Sequence, residues 1–227
     1  MSIEPPVKSR PDASPSGVRL GRRMATLLLA TLLLATSLLV SGCALSRGPA
    51  DTASPTLPAG AYSTLDDAGV ERILASRTAR LDMRSGNLEK SDVGLPQDDL
   101  GPEINTRDPH DKVQLTIVGP SGEISGETDR IRFNTVDTRT DFSVVTYFLT
   151  TESAEEYFEL IRDGVDRYGI DGESAERWIT SAEADPEHSS EFSLVSGTST
   201  GLEVNYDLRY DATKNTQVII VNVSPIV

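Results

Sequence analysis

Few residues in this chain of 227 have the types and spacing that chemistry requires. The two histidines, His110 in DPHDK and His188 in DPEHSS, each have carboxylates close by, which could contribute to a weak metal site. Neither histidine is paired with a second histidine or a cysteine at the spacing of zinc ligands. The neighbouring carboxylates Asp98 and Asp99 could supply half of a general acid–base pair. We expect both histidines to lie on the surface, and the sequence indicates no catalytic residue, metal ligand or cofactor.

The only cysteine, Cys43, follows a long apolar run. This run, residues 24–41, reads MATLLLATLLLATSLLVS and carries no charge, and Arg19, Arg22 and Arg23 precede it. Such an arrangement is typical of an export signal, because positive charges stay on the cytoplasmic side while the apolar residues enter the bilayer. The run ends, and the cysteine follows, in the four residues Val40, Ser41, Gly42 and Cys43.

This VSGC sequence resembles the lipobox of bacterial lipoproteins, which has an aliphatic residue, two small residues and a cysteine. The resemblance covers the first 43 residues or so. It implies that the Cys43 thiol is linked to diacylglycerol and that the chain is cleaved between Gly42 and Cys43. Residues 1–42 would then be a lipoprotein signal peptide, and Cys43 would be the first mature residue. Two acyl chains hold a protein at a bilayer stably, whereas one holds it weakly.

An uncleaved signal-anchor helix is the alternative to the lipoprotein interpretation. Its 18 apolar residues are near the lower limit for a membrane span. Both interpretations predict that residues 44–227 lie outside the cytoplasm, at the cell membrane. The translation start is also open between Met1 and Val18, because the segment before the arginines is long.

Charge is distributed unevenly along the chain. Residues 1–42 carry a net charge of +3, and residues 43–227 carry −17. DNA and RNA are disfavoured as partners, because binding them requires basic side chains to displace phosphate counterions. An anionic lipid surface would also repel the acidic part. We interpret the acidity as a property that favours solubility.

The mature chain divides into a tether and one domain. Residues 43–61 are small, polar and proline-containing, which predicts a disordered tether. Residues 62–227 are enough for one domain with its own core, and a single cysteine cannot form an internal disulfide. The segment 63–83 predicts a helix, with Ser63 or Thr64 available as its cap. Residues 85–112 lack any periodicity and predict a long loop, either functional or mobile.

After Lys112 the pattern predicts the order β-β-β-α-α-β-β-β. The apolar spacing indicates strands at 112–119, 130–135, 141–150, 191–197, 202–210 and 217–227, helices at 152–170 and 173–184, and a turn at 120–129. Strands grouped in this way indicate an α+β fold. We expect a two-layer sandwich in which helices pack on one face of an antiparallel sheet of five to six strands, preceded by the N-terminal helix.

The aromatic residues allow two interpretations. They can line a ligand pocket or fill the core, and their positions coincide with the apolar faces of the predicted elements, which favours the core. The residues concerned are Tyr157, Tyr168, Trp178, Tyr206 and Tyr210.

The sequence leaves three functions to weigh. The favoured one is a non-catalytic binding or interaction module of the cell envelope, held in the bilayer through acylated Cys43. Its partner would be an unknown envelope protein or a small ligand. The second is an enzyme that modifies the envelope or cell wall, using acidic residues of the loop 85–112. The third is a structural spacer.

Overall fold

The computed structural model describes residues 61–185, 187 and 189–227. The predicted signal peptide, Cys43 and all of the predicted tether except residue 61 therefore lie outside the described residues. The described residues all belong to one compact unit.

Three α-helices lie in the described part, and each begins at an acidic or hydroxyl cap. They are α1 (Asp67–Ser76), α2 (Ala154–Tyr168) and α3 (Gly172–Ala184). The side chains of Asp66, Ser153 and Asp171 accept hydrogen bonds from the first-turn amides, which satisfies donors that a helix start leaves unpaired. Helices α2 and α3 confirm the two helices predicted at 152–170 and 173–184.

Eleven strands are present among the same residues. They are β1 (Thr78–Asp82), β2 (Leu88–Glu89), β3 (Glu103–Asn105), β4 (Val113–Val118), β5 (Glu123–Thr128), β6 (Arg130–Asn134), β7 (Asp141–Phe142), β8 (Val144–Thr150), β9 (Ser189–Ser193), β10 (Glu203–Asp211) and β11 (Thr216–Ser224). Short 3-10 helices occupy Ser91–Val93 and Ala212–Lys214.

The main layer is a six-stranded antiparallel sheet with the order β3-β6-β8-β11-β10-β9. Its longest pairing joins β10 to β11, from Glu203 opposite Ser224 to Asp211 opposite Thr216. Buried and half-buried residues alternate along both strands, as the period of two predicts for a sheet with one face in the core. The other face, which includes Phe148 and Val218, is only partly buried.

The second layer contains the helices and a smaller sheet. Helix α2 packs on the core face of β10, where the rings of Tyr157 and Tyr210 lie 5.9 Å apart. The smaller sheet has the order β1-β4-β5, with β1 parallel to β4. This smaller sheet packs on β8, where the backbone of Gly126 in β5 lies against the ring of Tyr147. The α+β class and the antiparallel sheet of up to six strands are confirmed. The strand predicted at 112–119 is β4, which belongs to the smaller sheet instead of the main one.

The helix predicted at 63–83 forms only over Asp67–Ser76, and Asp66 caps it in place of the expected Ser63 or Thr64. Arg77 ends α1 in the left-handed region with a φ of 54°, and the chain continues as strand β1. In that strand Ala79 and Leu81 are buried, whereas the alternate positions Thr78, Arg80 and Asp82 are not. Pairing with β4 therefore overrides a helical spacing that continues through the same residues.

Two other local predictions are also corrected. The turn expected at 120–129 is confined to Gly119–Gly122, where the Gly119 amide donates to the Gly122 carbonyl at 2.8 Å, and β5 follows it. The stretch 85–112 contains β2, a 3-10 helix and β3. Its Lys90 is buried, and Nζ donates to the carbonyls of Gln97 at 2.6 Å and Val136 at 3.3 Å.

Candidate functional site

The acidic residues and histidines singled out in the sequence are not brought together. Asp98 is exposed, and Asp99 accepts a hydrogen bond from the amide of Gly101 at 2.7 Å, which stabilises a turn. His110 is largely exposed, with its Nδ1 3.9 Å from a carboxylate oxygen of Glu152. His188 and Cys43 lie outside the described residues.

Asp111, which follows His110, forms a two-pronged ion pair with Arg77, and hydrogen bonding by that guanidinium lowers the pKa of the Asp111 carboxyl. Across residues 61–185, 187 and 189–227, no group of three or more histidine, cysteine, aspartate or glutamate side chains is placed to hold a metal ion.

The strongest candidate site is a cleft of about 290 Å³ where the two sheets and α2 meet. One wall is formed by β4, by β5 and by Lys112, the residue before β4. The opposite wall is formed by residues on one face of α2. The floor is formed by β8 and β10. Its polar and charged lining residues are Lys112, Gln114, Ser125, Glu127, Thr150, Glu156, Asp163, Arg167 and Tyr206.

The helix wall follows from the periodicity of α2. Glu156, Asp163 and Arg167 are separated by seven and four residues, and this spacing puts their side chains on one face of a helix. The Arg167 guanidinium contacts Asp163 at 3.0 Å and donates to the Ser125 hydroxyl at 2.7 Å. It also stacks over the Tyr168 ring, 5.0 Å from the ring centre. This wall is therefore connected to β5 at the end of the helix.

The sheet wall carries a lysine and a carboxylate. Lys112 donates from Nζ to the carbonyl oxygen of Thr150 at 3.1 Å. That single contact leaves two of its three N–H groups for other acceptors. Glu127 is exposed, lies opposite Gln114 in the β4–β5 pairing, and makes no side-chain hydrogen bond or ion pair with any described residue.

Tyr206 forms the buried part of the floor. It is 2% exposed, and its ring lies so close to Gly164 that a Cβ there would come within 2.6 Å of it. Its hydroxyl has no hydrogen-bond partner among the described residues. Burial raises the pKa of this hydroxyl, with nearby Tyr168 and Asp163 adding to the effect. Tyr206 is thus a neutral donor and acceptor at physiological pH.

A second tyrosine lies beneath the cleft. Tyr147 in β8 is fully buried, and its hydroxyl has no hydrogen-bond partner within residues 61–185, 187 and 189–227. Burial raises the pKa of this hydroxyl well above its usual value. The smaller effects of the nearby charges oppose each other, because Arg167 lowers this pKa and Asp163 raises it. Its ring lies against Gly126, where an added Cβ would come within 2.9 Å. A glycine at this position allows β5 to approach β8 closely.

A larger and shallower hollow, of about 490 Å³, lies on the partly buried face of the main sheet and includes Phe148. Its two cations are already paired. Arg209 contacts Asp207 at 2.9 Å, and Lys214 contacts Asp211 at 2.8 Å. The cleft, in contrast, contains polar groups without a partner in the described part of the chain, and this makes it the better candidate for binding.

The aromatic residues mainly confirm the core interpretation. Trp178 lies 5.9 Å from Tyr157 and 5.8 Å from Tyr210, measured between ring centres, within the buried core. Tyr206 has both roles, because its ring packs in the core while it also lines the cleft. Sequence reasoning did not single out Glu127 or Arg167, because each looks like an ordinary charged residue on a solvated face.

Comparison with protein-family models finds no match, and searches of curated proteins and of solved structures find none either. Of the helices in the described part of the chain, none has the length and apolar character needed to cross a membrane.

Proposed function

We propose that this protein is a lipid-anchored, extracytoplasmic binding module of the cell envelope. The proposal combines an anchor at Cys43 with a ligand site in the cleft between the two sheets. It involves no catalytic step.

The anchor is supported by the order of features before Cys43. Three arginines, 18 uncharged residues and the VSGC sequence follow one another with the spacing of a lipoprotein precursor. Cleavage would remove the apolar run, so another anchor is needed. Each buried methylene contributes about 0.8 kcal/mol to membrane attachment, and two acyl chains together hold a protein stably.

Ligand binding is supported by one observation above all, the Tyr206 hydroxyl. The Tyr206 side chain lines the floor of the cleft, and its hydroxyl makes no hydrogen bond with any described residue. This hydroxyl is not among the fully buried side-chain atoms that lack a partner, so it opens on the cleft. A polar group that lines a cleft without a protein partner can accept from or donate to a bound ligand.

Mass spectrometry of the protein from a bacterial membrane fraction tests the anchor. The expected mature chain begins at Cys43 and carries a diacylglyceryl group, and Cys43→Ser should abolish both acylation and cleavage. Gly42→Ala is the matched control, because it keeps a small residue before the cysteine and should still be processed. A membrane-bound chain that retains residues 1–42 without acylation would favour the signal-anchor alternative. An unacylated chain in the cytosol would contradict the proposal altogether.

A further inference from the structure

The two faces of the main sheet differ in how well they are covered. On the core face, side chains such as Tyr147 and Val221 are fully buried. On the opposite face, the two central strands carry apolar side chains that are only partly buried, namely Val144, Phe148, Val218 and Ile220. Apolar side chains that stay accessible inside a polar rim are typical of a surface that contacts another protein.

One row of side chains crosses this second face from edge to edge, because directly paired residues of an antiparallel sheet point to the same side. The row passes from β6 to β8 at Arg130, whose guanidinium lies 5.4 Å from the ring centre of Phe148. These two residues are also next to the Ile131–Tyr147 pair of the same ladder. From β3 to β9, the row reads Asn105, Arg130, Phe148, Ile220, Asp207 and Ser193.

This row is symmetric in size and opposite in charge about its centre. Two apolar residues lie in the middle, with a cation on one side, a carboxylate at the same distance on the other side, and a small polar residue at each end. A surface that binds a second copy of itself through a two-fold axis must be self-complementary in this way.

The charges select one direction for such an axis. If it runs along the strands between β8 and β11, Arg130 of each copy lies opposite Asp207 of the other, and Phe148 lies opposite Ile220. If it runs across the strands at this row, Arg130 meets its own copy, and like charges oppose binding. Two sheets that pack face to face lie about 10 Å apart, a gap that an arginine and an aspartate side chain bridge together.

Both charged groups can take a further partner. The Nε of Arg130 is buried, lies 3.7 Å from a Glu103 oxygen and makes no hydrogen bond with any described residue. Asp207 is in contact with Arg209 at 2.9 Å, but its side chain is still 26% exposed, and a carboxylate can accept from more than one cation.

The area of this face is sufficient for a dimer. Its six strands have three to nine residues each. With strands about 4.8 Å apart and a rise of about 3.3 Å per residue, they cover about 600 Å². A specific interface buries about 500 Å² or more on each partner.

We propose that the partly buried face of the main sheet binds a second copy of this chain, in a symmetric dimer whose two-fold axis runs along β8 and β11. Two Arg130–Asp207 contacts fix the register, and the apolar centre supplies the buried area. This inference goes beyond the proposed function and depends on neither the cleft nor the anchor.

Sedimentation equilibrium of the full chain in density-matched detergent tests the dimer. Micelles are kept in large molar excess over the protein, so that two chains rarely share a micelle by chance. We expect a monomer–dimer equilibrium with a Kd of about 1–10 µM, because the interface is of modest area.

Two charge-reversal variants identify the contact. Arg130→Asp and Asp207→Arg should each weaken self-association about a hundredfold, because each dimer would then contain two like-charge contacts. An equimolar mixture of the two variants should associate about as tightly as the wild type, because in the mixed dimer each reversed charge faces an opposite charge. Changes within one chain cannot produce this recovery.

The matched control is Arg177→Asp, which makes the same reversal at an exposed residue of α3 and should leave association unchanged. Urea unfolding confirms that each variant is folded. If a reversal variant does not fold, the neutral variants Arg130→Gln and Asp207→Asn take its place, and each should weaken association about tenfold.

Three outcomes would overturn the inference. The first is a wild-type chain that stays monomeric up to about 100 µM, far above the expected Kd. The second is a mixture of the two reversal variants that associates no better than either variant alone. The third is a dimer that no substitution at Arg130 or Asp207 weakens, since another surface would then form it.

Discussion

Two buried tyrosines with opposite hydrogen-bonding states offer a sharp test of the packing. Tyr147 and Tyr157 are both fully buried. The Tyr147 hydroxyl has no partner among the residues that the structure describes, while that of Tyr157 donates to the Val218 carbonyl at 3.2 Å. Leaving a buried polar group unpaired costs about 1–3 kcal/mol, and an ordinary hydrogen bond contributes about 1 kcal/mol net. The same Tyr→Phe change should therefore have opposite signs at the two positions.

We expect Tyr147→Phe to raise the free energy of unfolding by about 1 kcal/mol and Tyr157→Phe to lower it by about the same amount. For a domain of this size, each change shifts Tm by about 2–4 °C. Urea unfolding of the full chain in detergent, followed by tryptophan fluorescence, measures both variants against the wild type. A lower unfolding midpoint for Tyr147→Phe, with an unchanged slope, would refute the reasoning, since it would show that the hydroxyl is satisfied in solution.

Two further predictions concern carboxylates that accept backbone hydrogen bonds. Asp171→Ala should lower the free energy of unfolding by about 1 kcal/mol, because Asp171 caps α3 by accepting from the Ser174 amide at 2.7 Å. The control is Asp166→Ala, at an exposed position of α2, which should have little effect in the same urea assay. Hydrogen bonds from Lys214 and Thr213 lower the pKa of Asp211 from 3.8 to about 2. Because the pKa is lower in the folded state, this stabilisation is complete above about pH 4 and is lost as the pH falls through about 2. Unfolding measured from pH 5 to pH 2 should show the stability difference between wild type and Asp211→Asn shrinking toward low pH, and a difference that stays constant would contradict the assignment.

Much of the fold could be predicted because local signals agreed with the tertiary structure. Ser153 and Asp171 are good caps, and the helices that they begin form where the apolar stripes predict them. The alternation in 202–210 likewise predicts β10, whose core face is buried throughout. At these elements, propensity, pattern and capping all indicate the same structure.

The failures occur where packing against a distant segment decides the structure. Strand β1 forms because it pairs with β4, more than 30 residues later, and its own residues also fit a helix. Strand β5 contains Gly126 and polar residues, which is typical of a turn, but the glycine is needed for the close approach to Tyr147. The cleft escaped prediction for the same reason, because its walls come from residues 112–127, 149–167 and 206.

The outermost strands of the main sheet bear on how copies of this chain would behave at high concentration. A strand at the margin of a sheet can recruit a strand from another molecule and start aggregation. Here β3 has only three residues, and its Glu103 contacts Arg132 at 2.8 Å. On the opposite margin, β9 reads SSEFS, so its one apolar residue, Phe192, stands between Glu191 and a serine. Short length and a neighbouring charge therefore discourage strand exchange between copies of this chain.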